Sequence, residues 1–361
     1  QPSATLGARR ASDIPLAFYF CGLVPWSETI RPRTSKIYQA SLLLLHVAIV
    51  ACLAGSVANR FLGDHHHSAE DSGNPRWYQL GKMSSLPLAL AAVASLAIPC
   101  CLSRATSVGE TLSMLRTYMQ KQGLEARCDS MARCDAIIIW IIWAAVLILT
   151  SAGILVESRF SLPGMRGALH WSSTAILGAS IAGWAHCMMY ISRSLAAMVD
   201  GFCCHVPNLA DTSQAMQEWN VLQAVLLTAS SSIEWSMSAA LVAMSIAMPL
   251  LFVDFVMLGG SLKVFPAVLP ETLITLLLAW VFFATAGISD KCARVPALVS
   301  SLSFGPGSES RRQLLTEYIV RSDAGFYLCD SRLTAEKLAH FLYLSCVAAF
   351  YIGTNALTKS S

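Results

Sequence analysis

The chain has 361 residues, of which 55% are hydrophobic and 13% carry a charge, and its mean hydropathy is +0.55. Because a soluble globular domain has about 25% charged residues, this composition excludes an ordinary soluble protein and indicates one that is embedded in a lipid bilayer. The net charge of +3 is too small to indicate binding to a polyanion, so we expect no nucleic-acid partner.

Seven long apolar segments predict seven transmembrane helices. Each has about 20 residues or more, the length that an α-helix needs to cross about 30 Å of hydrocarbon with its backbone groups bonded internally. The predicted spans are 38–58, 84–103, 136–156, 168–192, 232–257, 265–288 and 338–357. The predicted fold class is therefore an all-α membrane protein with seven transmembrane helices.

The spans divide the chain into three predicted parts. Residues 1–37 form a cytoplasmic N-terminal segment, in which the apolar stretch 14–26 is too short to span the bilayer and is predicted to be an interfacial or core-packing helix. Residues 38–357 form the seven-transmembrane domain, and residues 358–361 form a short extracellular tail.

Basic residues and cysteines predict the orientation. Most of the 25 Lys and Arg residues fall on the cytoplasmic side if the N-terminus is inside, which is where positive charge accumulates in membrane proteins. The cysteines outside the spans fall on the same side, where a reducing compartment keeps thiols free. A cytoplasmic N-terminus, an extracellular C-terminus and the lack of an external disulfide argue against a G-protein-coupled receptor.

Three cytoplasmic connections are predicted to contain helix. Residues 104–135 have a polar helical pattern that runs into the third span, and residues 193–231 are helical with a break near Pro207. The loop 289–337 contains a further helix around 311–321. Long helices are thus expected to extend below the membrane.

The sequence predicts no metal, cofactor or catalytic site. The external loop 63–71 is rich in histidine, but it lacks a ligand spacing that fixes a metal geometry, and a solvated loop is the better interpretation. The chain has no nucleophile–base pattern and no phosphate-binding loop, so we expect neither an enzyme nor a resident cofactor.

The residues before the last span resemble a known family. Residues 324–333 read Ala-Gly-Phe-Tyr-Leu-Cys-Asp-Ser-Arg-Leu. A small residue, a glycine and an aromatic residue, followed by an Asp-Arg-Leu-like element, resemble the C-terminal signature of insect gustatory receptors, within the insect chemoreceptor superfamily. In the last span, Asn355 stands where the family has glutamine and Ala356 where it has phenylalanine, so the chain resembles a divergent member.

The resemblance implies a multi-pass receptor in the plasma membrane of chemosensory neurons that acts as a ligand-gated, non-selective cation channel. In that family four subunits surround one pore lined by the last span, and cytoplasmic helix ends make most contacts between subunits. The implied partners are a small-molecule tastant or other organic ligand, cations, lipid, and further copies of the chain or co-receptor subunits. The alternatives are a G-protein-coupled-type receptor, a small-molecule transporter, or an accessory subunit without channel function.

The last span has two predicted faces. Small residues at Ser345, Ala349 and Gly353 repeat every fourth position and favour close packing against another helix. The neighbouring face carries polar groups, which in a span normally face the bundle interior or water. We expect this second face to line the pore with Val347, Tyr351, Thr354 and Asn355.

Polar and aromatic side chains near the outer ends of the fourth, fifth and sixth spans predict a ligand pocket. Carboxylates inside spans are costly, so Asp254 and Glu271 are informative; an alternative is that they reach the lipid headgroups. Trp171 has the alternative of anchoring the chain at the membrane interface. The pocket candidates are Trp171, Ser172, Phe252, Asp254, Phe255, Glu271 and Thr272.

Overall fold

The computed structural model describes residues 105–158, 165–208, 212–257, 265–302 and 309–360, together with Leu44, Val47 and Leu88. Apart from those three positions, the predicted N-terminal segment, the first two predicted spans and the histidine-rich loop lie outside the described residues.

The described residues are almost entirely helical. In chain order the elements are α1 (Ala105–Lys121), α2 (Glu125–Ser158), α3 (Met165–His205), a 3-10 helix (Val206–Asn208), α4 (Thr212–Met257), α5 (Phe265–Ser301), α6 (Glu309–Ser322), β1 (Tyr327–Leu328), β2 (Ser331–Arg332) and α7 (Ala335–Ser360). The third to seventh predicted spans lie in α2, α3, α4, α5 and α7. The two strands form a small antiparallel hairpin between α6 and α7.

Several of these helices are long enough to cross a bilayer. Within the described residues, α2, α3, α4 and α5 each contain a stretch that is apolar enough to be a transmembrane span. The 26 residues of α7 extend over about 39 Å, which also exceeds the hydrocarbon thickness. We name the end of the bundle where α3 ends and α4 begins the inner end, which the charge distribution predicts to be cytoplasmic, and the opposite end the outer end.

The helices extend beyond their predicted spans at the inner end. Helix α3 continues to His205 and α4 starts at Thr212, as expected from the helical pattern over residues 193–231. Helix α5 continues to Ser301, an extension that the sequence did not predict. The break predicted near Pro207 is the 3-10 turn. The helix predicted around 311–321 is α6.

The helical pattern predicted over residues 104–135 forms two helices with a turn between them. Gly123 separates α1 from α2 and adopts a φ of +68°, a left-handed conformation that costs glycine little. Leu124 N–H donates to the Met119 carbonyl and Gly123 N–H to the Gln120 carbonyl, at 3.0 and 3.2 Å. This pair of bonds is the usual glycine-terminated end of a helix, so the chain turns before α2 begins.

The centre of the bundle is α3. Of the most apolar stretch of α3, 72% is buried, against 22% for α2. On its outward side α2 exposes a row of isoleucines, which suits contact with lipid: Ile137, Ile138, Ile141 and Ile148. Large buried side chains, including Trp184, Trp219, Phe282 and Phe326, join α3, α4, α5 and the hairpin into one core.

Candidate functional site

The connection between α6 and α7, residues 323–334, is named here the junction hairpin. Tyr327 pairs with Arg332 and Leu328 with Ser331, which leaves a two-residue turn at Cys329 and Asp330. Both turn residues have positive φ, +49° and +58°, as the type I′ turn that favours tight hairpins requires.

Arg332 fixes the junction hairpin through its side chain. Its guanidinium pairs with Asp323 at 2.8 Å and donates to the Ser289 carbonyl on α5 at 2.7 Å. The side chain crosses directly over Gly325, where an added Cβ would lie 2.6 Å from Arg332 Nε. The close contact between Gly325 and the Arg332 side chain therefore explains both the glycine and the arginine of the family-like signature.

The aromatic and leucine positions of the signature have a structural role as well. Phe326 is fully buried, and its N–H donates to Ser289 Oγ at 2.9 Å. Leu333 is also buried, and its N–H donates to the Phe326 carbonyl at 2.9 Å. The resemblance alone indicates these residues in the sequence, whereas the structure shows that Phe326 and Arg332 both bond to Ser289 and that Leu333 bonds to Phe326.

The junction hairpin also contacts α4 and the start of α7. The Cys329 N–H donates to Glu234 Oε1 on α4 at 3.0 Å, and Cys329 Sγ lies 3.3 Å from Ser238 Oγ. The Ala335 N–H, which begins α7, donates to Asp290 Oδ2 on α5 at 3.4 Å. Three helices thus meet at this hairpin, which sequence analysis did not predict because the partners are distant in the chain.

Ion pairs link the helices at the inner end. Each contains a basic residue that is predicted to be cytoplasmic; three of the pairs join two helices, and the fourth lies within the junction hairpin. The pairs are Arg116–Glu125 at 3.3 Å, Arg193–Asp135 at 2.9 Å, Lys291–Asp200 at 2.6 Å and Arg332–Asp323 at 2.8 Å. The structure therefore gathers these basic residues at one end of the bundle.

Burial disfavours the thiolate form of two cysteines near the inner end. Burial raises the pKa of Cys203 on α3 to about 11 and that of Cys292 on α5 to about 12. Both thiols are protonated at neutral pH, whereas the thiolate is the nucleophile and the metal ligand. Within the described ranges, no three His, Cys, Asp or Glu side chains come together in a group that could hold a metal ion.

The predicted pore face of α7 is exposed in the single subunit. Val347 and Tyr351 are 47% and 68% exposed, and the Thr354 hydroxyl donates to the Tyr351 carbonyl at 3.0 Å. The opposite face is buried at Leu338 and Ala349, which supports the predicted packing role of the small residues. The fourth pore candidate, Asn355, lies within α7, but its side chain is outside the described part of the chain.

The predicted pocket residues lie near the outer ends of α3, α4 and α5. Asp254 is 1% exposed, which argues against the alternative that it reaches the headgroups, and Phe252 contacts Phe350 on α7 with ring centroids 6.4 Å apart. Trp171 is 42% exposed and donates to Ser151 Oγ on α2 at 2.9 Å, a geometry that suits an interfacial anchor.

The remaining pocket candidates are partly buried. The Thr272 hydroxyl donates to the Val268 carbonyl within α5 at 2.8 Å, so its hydrogen is already used. Glu271, Ser172 and Phe255 are half-buried. Among the pocket candidates, Phe252 on α4 therefore contacts α7, and Trp171 on α3 contacts α2.

Comparison with known proteins gives a structural match. No protein-family model matches the chain, and no curated protein matches it. The solved structure of the insect olfactory receptor OR5 from Machilis hrabei superposes with a TM-score of 0.66 at 10% identity, over 93% of this chain and 95% of that one. The chain has the insect olfactory receptor fold.

The same receptor in complex with eugenol gives a TM-score of 0.66 at 9% identity, over 94% of this chain and 97% of that one. The insect olfactory receptor fold is all-α with seven transmembrane helices, so the predicted fold class is confirmed. The resemblance to the insect chemoreceptor superfamily, carried in the sequence by residues 324–333, is supported at the level of the fold.

Proposed function

We propose that the chain is a subunit of an insect-type chemosensory receptor, an oligomeric cation channel in the plasma membrane that opens when a small organic molecule binds. The observation that carries this proposal is the fold match over 93% of the chain at a TM-score of 0.66. The family-like signature at residues 324–333 adds the proposal that the receptor is of the gustatory type and serves chemosensory neurons.

The pore is assigned to the exposed face of α7, at Val347, Tyr351, Thr354 and Asn355. A helix that packs by one face and leaves large and polar side chains uncovered on the other has a surface available to line a lumen. An apolar constriction in such a lumen closes by dewetting, and polar neighbours allow hydrated ions to pass. Val347 and Tyr351 supply both kinds of group on one face.

The oligomer is proposed to be a tetramer held together at the inner end. In the segments predicted to be cytoplasmic, several large apolar side chains are exposed, and exposed apolar patches mark protein interfaces. These residues are Val221, Leu227, Leu298, Leu314 and Val320. Copies of the same chain or a co-receptor subunit with the same fold would cover them.

The ligand is proposed to bind near the outer end, among Trp171, Ser172, Phe252, Asp254, Phe255, Glu271 and Thr272. Aromatic rings with a few placed polar groups suit recognition of a small organic molecule. Eugenol is a suitable first compound to test because the similar OR5 structure is a complex with it.

Recording currents from cells or bilayers that contain the purified chain tests the proposal. On a background that carries both Cys329→Ser and Cys346→Ser, Val347→Cys and Tyr351→Cys should make the current sensitive to block by a thiol reagent, because both positions are exposed on the proposed pore face. Ala349→Cys, on the buried face, is the matched control and should remain insensitive. Asn355→Ala should alter conductance or ion selectivity while surface expression is unchanged.

Two results would contradict the proposal. The first is a correctly folded protein at the cell surface that gives no unitary cation current, with or without eugenol and related compounds. The second is equal block at Val347→Cys and Ala349→Cys, which would remove α7 from the pore.

Native mass spectrometry should find four copies of the chain in one complex, and Leu314→Glu should reduce that number by placing a charge in the interface between subunits.

A further inference from the structure

We propose that Glu234 and Asp290 are positioning residues for α7, and that the junction hairpin passes movements of α4 and α5 to the start of that helix. The inference rests on the proposed function, because it takes α7 as the helix that lines the pore. It concerns contacts of residues that lie outside the candidate pore and pocket.

The first step of the argument is the attachment of the junction hairpin to α5. Ser289 accepts the Phe326 N–H at its hydroxyl and the Arg332 guanidinium at its carbonyl, at 2.9 and 2.7 Å. The next residue of α5, Asp290, accepts the N–H of Ala335 at 3.4 Å. Consecutive residues of α5 therefore hold both the hairpin and the first turn of α7.

The second step is that Asp290 helps to cap α7 from another helix. The first N–H groups of a helix have no partner within it, and a side-chain oxygen normally satisfies them. Thr334 supplies one such oxygen, which accepts the Lys337 N–H at 3.3 Å, and Asp290 supplies another from α5. A shift of α5 would thus act directly on the first turn of α7.

The third step is the attachment to α4. The Cys329 N–H at the tip of the hairpin donates to Glu234 Oε1 at 3.0 Å, and bonds of this type to a carboxylate are stronger than those between neutral groups. Towards the outer end, α4 contacts α7 again, where Phe252 packs against Phe350. Helix α4 therefore contacts α7 both directly and through the junction hairpin.

The fourth step is the proline between these two contacts. Pro249 lies inside α4 and has no N–H to continue the helical hydrogen bonding, so the helix has a defined point at which it can bend. The proposed ligand residues Phe252, Asp254 and Phe255 lie on the outer side of Pro249, and Glu234 lies on the inner side. Binding at the outer end can then tilt one segment of α4 relative to the other.

Thiol modification of Cys329 tests the coupling without requiring a ligand. This cysteine is exposed, and a negatively charged methanethiosulfonate reagent would place a sulfonate beside the Glu234 carboxylate and separate the hairpin from α4. In planar bilayers with reagent on both sides, the open probability of the Cys346→Ser channel should change about five-fold or more, the range typical of coupling between sites. The unitary conductance should not change, and the channel that carries Cys329→Ser in addition to Cys346→Ser should not respond.

Substitution tests the same contacts independently of current. In Glu234→Ala and Asp290→Ala proteins, hydrogen–deuterium exchange over residues 327–338 should be about five-fold faster or more, since the carboxylates no longer hold these amides. Asp290→Asn keeps an acceptor oxygen and should restore much of the protection. The matched control is Glu317→Ala, which removes an exposed carboxylate from α6 and should leave this exchange unchanged.

The outcomes separate the two proposals. If the wild-type channel conducts but complete labelling of Cys329 leaves its open probability unchanged, the coupling is wrong and the channel assignment stands. Unchanged exchange in both alanine variants would also overturn the inference. If no unitary current is found at all, the proposed function fails, and the coupling fails with it.

Discussion

At the scale of single residues, Gly325 and Arg332 depend on each other. The arginine can pair with Asp323 and reach Ser289 only because no Cβ occupies the space that its side chain crosses. The cost of a side chain at position 325 is therefore the loss of the arginine contacts rather than backbone strain. Any substituent would have to push a side chain that several bonds hold in place.

We expect Gly325→Ala to destabilise the protein by about 1–3 kcal/mol, the usual cost of forcing a side chain out of a filled site. Gly287→Ala is a matched control in α5, because nothing lies within 4 Å of its added Cβ and alanine favours a helix by about 1 kcal/mol. Thermal unfolding of the purified protein in detergent checks both. Equal melting temperatures for the two variants would contradict the steric argument.

At the scale of helices, the ion pair between α2 and α3 differs from the one between α3 and α5. The Asp135 side chain is 7% exposed, whereas that of Asp200 is 48% exposed. A buried carboxylate whose partner is removed has neither water nor a counter-charge, while an exposed one regains water. The first pair therefore fixes how α2 lies against α3, and the second contributes little to stability.

Arg193→Met should accordingly lower the stability by about 1–3 kcal/mol, because it leaves Asp135 buried beside an apolar side chain. Lys291→Met, which leaves the exposed Asp200, should change the stability by about 0–1 kcal/mol. Adding Asp135→Asn to Arg193→Met should recover part of the loss by removing the charge. A comparable loss in both single variants would show that the exposure of the carboxylate does not decide the cost.

At the scale of the whole molecule, the inner end gathers the long helices, their ion pairs and the junction hairpin. If this end is cytoplasmic, as the charge distribution predicts, Cys329 should react with a membrane-impermeant maleimide only after the cells are permeabilised. Cys292 should remain unlabelled at pH 7–8, because burial raises its pKa to about 12 and keeps the thiolate scarce. Labelling of Cys329 in intact cells, absent from a Cys329→Ser control, would reverse the predicted orientation. The inner end of the bundle would then be extracellular and the outer end cytoplasmic.

The sequence predicted those elements that are determined by local patterns. The long apolar helices, the break near Pro207 and α6 follow from periodicity and composition over neighbouring residues. The turn at Gly123 was missed because a single glycine within a polar helical pattern does not by itself indicate a helix end. The contact between Glu234 and Cys329 joins residues 95 positions apart, and no pattern in one sequence identifies such a partner.

The central position of α3 has a consequence for how the protein tolerates change. From residue 180 to residue 189 every residue of α3 is buried, whereas α2 directs a row of isoleucines away from the bundle. A library of random single substitutions should therefore survive selection for surface display very unevenly. In the middle of α3 nearly every enlargement should be lost, while the outward row of α2 should accept most exchanges between apolar residues. Divergence of this chain from its structural relatives would then accumulate fastest where it meets lipid.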